Sequence, residues 1–170
     1  MIAILRGMRA TLFIVSIISA GLMAAPPAQT PLDIDDLAQY RLTTAVFVRF
    51  EAASRSIAET TRADPAFTQD PLFTREIVLS DDAVAAATAL ETRLQAHPAL
   101  AGALRAARLS ARDYTKFALA VFAARLAHGF VKAGVLRGVP EGPAASNVAF
   151  VQAHERPITA LLADLRIDHP

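Results

Sequence analysis

The chain has 170 residues, 54% hydrophobic and 19% charged, with a formal charge of +1. That length corresponds to about one domain and excludes a multidomain machine. The absence of Cys excludes disulfide scaffolds, Cys-ligated zinc, covalent c-type haem and Cys nucleophiles. So apolar a composition does not suit a disordered chain, and so small a charge leaves no electrostatic footprint for nucleic acid.

Residues 1–28 read as an address. Arg6 and Arg9 make a basic start without an acid, and Ala10 to Met23 is apolar apart from Thr11, Ser16 and Ser19. Ala24, Ala25, Pro26, Pro27 and Ala28 form a small-residue exit. This is the layout of a secretory signal peptide, with cleavage expected near 24–28. The apolar run is shorter than the ~20 residues that span a bilayer core. A periplasmic or secreted location follows, with residues 29–170 as a single helical domain. An uncleaved N-terminal anchor is the alternative; its basic flank would stay cytoplasmic and the remainder would still be exported. After cleavage no membrane contact is expected. Removing Arg6 and Arg9 takes two positive charges from the formal +1 and leaves −1.

Asp33 or Asp35 is expected to cap the first helix, with the acids Asp33, Asp35 and Asp36 at the positive end of its dipole. Leu42, Val46, Phe50, Ala53 and Ile57 recur at helical spacing and predict one amphipathic face. Glu51–Arg55 and Arg55–Glu59 are charge pairs four apart. Pro65 disfavours helix at Asp64, so the helix should stop near Ala63. Residues 64–80 read as a connection whose Phe67 and Phe73 need cover. Ser80 is expected to cap the next helix, with Val84, Ala87, Leu90 and Leu94 as its apolar face. His97-Pro98 should end it and open a short helix carrying Leu100 and Leu104. Ser110 to Asp113 resembles a capping box and predicts a long central helix from about Ala111 to Leu136. Its core reads FALAVFAA, apolar on every side, as in a buried helix. Ala120, Ala123 and Ala127 form a small-residue stripe, and Leu119, Phe122, Leu126 and Phe130 supply bulk on an adjacent face. Gly134, Gly138, Pro140, Gly142 and Pro143 mark a loop. Ser146 or Asn147 should start the last helical segment, which Pro157 kinks or splits. Its seam is Val148, Val151, Ile158, Leu161, Leu162 and Leu165. The expected fold is therefore all-α, a small helical bundle of about four main helices with short additions.

Candidate chemistry is sparse. His97, His128, His154 and His169 include no pair three or four apart, the spacing that sets two metal ligands on one helix face, so no metal is expected. All three Met residues lie in the first 28, which excludes a His/Met-ligated haem in the mature domain. No GxSxG, Walker or dinucleotide spacing is present, and no cofactor is expected. Tyr114, Ala118, Val121, Arg125 and Lys132 share one helix face, with His128 beside them. Tyr114, Arg125 and His128 are therefore the candidate ligand-binding residues. Buried, Arg125 would need an acidic or carbonyl partner; otherwise it emerges to water.

His97-Pro98, the run Leu109-Ser-Ala-Arg-Asp-Tyr114 opening a long apolar helix, and Ser146-Asn-Val-Ala-Phe-Val151 after the Pro/Gly loop resemble a group of small exported helical proteins of Gram-negative bacteria. The likeness spans roughly residues 97–166. It implies an exported helical domain and carries over no catalytic residue. The function expected is a non-enzymatic module that binds a protein or a small apolar ligand. The competing readings are an enzyme or metal-binding protein with a site assembled from separate helices, and a membrane-tethered accessory subunit.

Overall fold

The computed structural model describes residues 33–69 and 82–165, and every regular element within them is helical. The expected export segment, Phe73, Ser80 and the tail from Arg166 lie outside the described residues.

The N-terminal region holds two helices where the periodicity predicts one. Helix α1 spans Ile34–Ala38 and α2 spans Thr44–Ala63. Asp33 caps α1 by accepting from the Asp35 amide, and Thr43 caps α2 by accepting from the Val46 amide. The break between them is held from a distance. The Asn147 side chain accepts from the Leu42 amide and donates to the Tyr40 carbonyl, both at 2.9 Å. A buried amide with both ends paired replaces the helical partners this linker gives up. The buried face of α2 is Phe47, Phe50, Ala53, Ser54, Ile57 and Ala58, so Phe47 rather than Val46 enters the core. Helix α2 stops at Ala63 as expected, and Asp64 then caps α3 (Ala66–Gln69) through the Ala66 amide.

Helix α4 runs Ala83–Ala96 and buries Ala86, Ala87, Leu90, Glu91 and Leu94. Its cap is Asp82, which accepts from the Val84 and Ala85 amides, not Ser80. An Asp at this place both accepts hydrogen bonds and complements the helix dipole. His97 closes α4 and opens α5 (Pro98–Ala106), with Pro98 in the first turn where its missing N–H costs nothing. Ser110 caps α6 (Ala111–Lys132) by accepting from the Asp113 amide at 2.9 Å. The capping box differs in detail: the Ser110 hydroxyl donates to the Asp113 carboxylate at 2.7 Å, because the shorter Asp holds the hydroxyl instead of reaching back to the Ser110 amide.

Helix α6 ends at Lys132, four residues before the expected stop. Gly134 takes a left-handed φ of 73°, and the Val135 and Leu136 amides turn back to the Phe130 carbonyl, a glycine-based helix stop. After the Gly/Pro loop, α7 begins at Pro143, with Gly142 at φ 102° before it. It thus starts ahead of Ser146 and Asn147: Pro143 supplies a preset helical φ, and Ser146 donates back to the Gly142 carbonyl. The chain splits at His154, so that α7 (Pro143–Ala153) gives way to α8 (Glu155–Asp164), which carries Pro157 in its first turn.

Helix α6 packs between α4 and α7, and α2 packs on α5, α6 and α8. Between them lies an aromatic core. The Phe50 ring sits 4.6 Å from both Tyr114 and Phe117, and Phe47 meets Phe150 edge-on at 5.9 Å. Tilted and edge-on rings at such distances add about 1 kcal/mol per pair beyond burial.

Candidate functional site

The three residues singled out in α6 occupy different environments along one helix face. Tyr114 is fully buried, and its hydroxyl and the Ser54 Oγ pair at 3.0 Å. Burial pushes its phenol well above the ordinary value, only partly offset by Ser54. This group joins α2 to α6 and faces no solvent. Arg125, three turns on, is half-buried and has no hydrogen bond or ion pair among the described residues. The half-buried ring of His128 meets Gln152 Nε2 at 3.0 Å through Nδ1, so Nδ1 accepts and the imidazole proton sits on Nε2. One turn later Lys132 is exposed. The face therefore begins in the core and emerges into water, and Arg125 emerges with it.

Other polar groups are tied into the scaffold. His97 Nε2 lies 3.1 Å from Asp64 Oδ2, and Phe67 packs on the His97 ring at 5.0 Å. The expectation that the connection packs back on the helices thus holds at Phe67. The Ala66 amide, then His97, hold the Asp64 carboxyl below the usual carboxylate value. His154 Nδ1 donates to the Phe150 carbonyl at 2.9 Å, and its ring stacks on Phe150. Lys116 reaches Asp36 on α1 at 3.2 Å, and Arg112 faces Glu91 on α4 at 3.8 Å. Tyr40, half-buried and near Asp113, has its phenol pushed up to about 12, chiefly by burial. Among the described residues no three of His, Asp and Glu converge as a metal site would require.

A different feature stands out at the far end of α6. Leu126 and Phe130 were expected to supply packing bulk, and both are exposed. Val135 and Leu136, brought round by the Gly134 turn, are exposed beside them. Single exposed apolar residues are ordinary, but four large ones gathered at one helix end are not. Spacing along the helix does not reveal this: Leu126 and Phe130 follow the FALAVFAA run, and no residue of α6 beyond Ala124 is buried. One signal was available. Between Asp113 and Glu141 the chain carries Lys116, Arg125, Lys132 and Arg137 and no acid.

No helix of the described residues is long and apolar enough to cross a membrane. The chain matches no protein-family model, no curated protein and no solved structure.

Proposed function

We propose that this chain is an exported helical module that acts by binding, and that its contact surface is the exposed end of α6. One observation carries the reading: Leu126, Phe130, Val135 and Leu136 stay uncovered on the element around which the other helices pack. Polar groups of the kinds that serve chemistry, Tyr114, His97 and His154, are engaged with Ser54, Asp64 and the Phe150 carbonyl. The architecture in this reading is a bundle whose main members are α2, α4, α6 and the broken α7–α8 pair. Export is supported by the basic start, the apolar run and the small-residue exit of residues 1–28. It places the domain in the periplasm or outside the cell, free of its N-terminal segment.

Two measurements in the producing cell test this. Mass spectrometry of the native protein should find a mature N-terminus near 24–28; an intact Met1 in a cytoplasmic fraction refutes export. A photo-cross-linking side chain at position 130 should form adducts with another molecule in the intact cell, and the same group at Arg55, on the outer side of α2, should not. Absence of any adduct at position 130 refutes the tip as a contact surface.

A further inference from the structure

We propose that the end of α6 docks on an anionic phospholipid surface, an inference that rests on the binding reading above. The apolar cluster forms an exposed knob at the end of α6. Phe130 closes the last turns of the helix, and the Gly134 turn folds Val135 and Leu136 back over its carbonyl end. Val135 is 68% exposed and Phe130 42%. Exposed apolar side chains at a helix end can enter a fluid surface that closes round them. Together the four side chains present roughly 400 Å² of apolar area, at the scale of patches that mark interaction sites. That is about half of what one partner contributes to a standard protein interface, while peripheral attachment by a few apolar side chains and nearby cations needs less.

Charge selects among the occupants. Lys132 and Arg137 flank the knob, both exposed, with Arg125 and His128 further up the helix. The first acids in sequence are Asp113, at the other end of α6, and Glu141, exposed within the loop that carries Arg137. A second copy of the chain would bring Lys132 and Arg137 of each protomer towards those of the other, with Glu141 the one acid of this loop to offset them. An anionic headgroup layer neutralises them, and each cation near such a surface raises the partition coefficient about fivefold. The carbonyls at the end of α6 add partial negative charge, but the Val135 and Leu136 amides cover that of Phe130. The proposal departs from the expectation of no membrane contact after cleavage: the contact is at the surface, without crossing.

The test uses the full chain and its lack of Trp. F130W provides a single fluorophore at the knob, and V48W one on α2, where Val48 is also exposed. With vesicles containing a third phosphatidylglycerol, F130W emission should shift to the blue and be quenched by bromine on the acyl chains. V48W should do neither, which separates docking by the knob from insertion of the N-terminal segment alone. Pure phosphatidylcholine vesicles should give at least tenfold weaker partitioning. Adding K132E and R137E to F130W should weaken binding to anionic vesicles by more than tenfold, with helical circular dichroism unchanged. Unquenched F130W in anionic vesicles overturns the proposal, and so does equal quenching in both lipids. Concentration-dependent dimerisation abolished by F130D, with vesicles unbound, assigns the knob to a second copy instead. If F130W is silent while position 130 cross-links to a protein in the cell, the membrane inference fails and the binding reading stands. If both are silent, both fail.

Discussion

Replacing Asn147 is the sharpest test of how the fold is closed. Asn147 is buried, and its two hydrogen bonds run to backbone atoms more than a hundred residues away, the Leu42 N–H and the Tyr40 C=O. Leu42 is itself buried, so in N147A its N–H has no replacement partner, which costs about 1–3 kcal/mol. Tyr40 is half-buried and its carbonyl can be partly hydrated, adding about 1 kcal/mol. The expected loss is about 2–4 kcal/mol, a fall in Tm of roughly 6–12 °C for a chain of this size. N147D refines the argument. At neutral pH one carboxylate oxygen still accepts from Leu42, but the other faces the Tyr40 carbonyl, acceptor against acceptor, in a buried site. N147D should therefore be at least as unstable as N147A at pH 7. Its carboxyl pKa should be raised in the folded state above the ordinary carboxylate value of about 4. The folded form then takes up the proton first. Relative to wild type, N147D should gain stability as pH falls through that raised value, because the protonated oxygen can donate to Tyr40. Urea unfolding at pH 7 and pH 5, with helicity as readout, measures both effects. A loss below about 0.5 kcal/mol for N147A, or N147A and N147D tracking each other at both pH values, refutes the assignment.

Gly129 and Gly134 should respond in opposite directions. A Cβ on Gly129 meets nothing within 4 Å inside α6, so G129A should stabilise by about 0.5–1 kcal/mol. G134A forces Ala into the left-handed region at φ 73° and should cost about 1 kcal/mol, both read from urea midpoints. Y114F leaves the buried Ser54 hydroxyl without its partner and should cost about 1–2 kcal/mol. S54A with Y114F should lose less than the two single variants added together, and strict additivity in that cycle refutes the pairing. The Asp64 carboxyl, held below its usual value by the Ala66 amide and His97, contributes stability above the unfolded-state carboxylate pKa. That contribution disappears as pH falls through the lower folded value. D64N should accordingly flatten the acid side of the stability–pH profile, and an unchanged profile counts against the His97 contact.

Local signals marked several helix ends, at Asp33, Ala63, His97-Pro98 and Ser110, but Asp82 replaces Ser80 as a cap, α6 stops before Leu136 and α7 starts before Ser146. Ser110, the His97-Pro98 junction and the Gly/Pro loop each act through atoms only a few residues away, so their effect is readable from neighbours. The break between α1 and α2 was not readable. Asn147 holds it from α7, and the local sign is slight, a single N-cap residue at Thr43. Phe47 was missed for a related reason: which residue of α2 points inward depends on where Phe117 and Phe150 stand. Tyr114, Arg125 and His128 do share a face, as their spacing requires, but spacing along one helix does not say where the neighbouring helices stop. The packing ends before Lys132, which makes that face a graded passage from the core to water. The knob at Phe130 has the same origin. Apolar composition predicts a need for cover, while geometry decides whether the cover arrives.

The Asn147 clasp also sets an order of events. Helix α1 buries no residue of its own, and the linker after it is clasped from α7, a segment made late in synthesis. Until α7 has emerged, residues 40–42 lack their hydrogen-bonding partner, and the entropy of closing so long a loop is not yet offset. A nascent chain therefore keeps α1 and the linker after it loose while the segments of α2 to α6 have already been made.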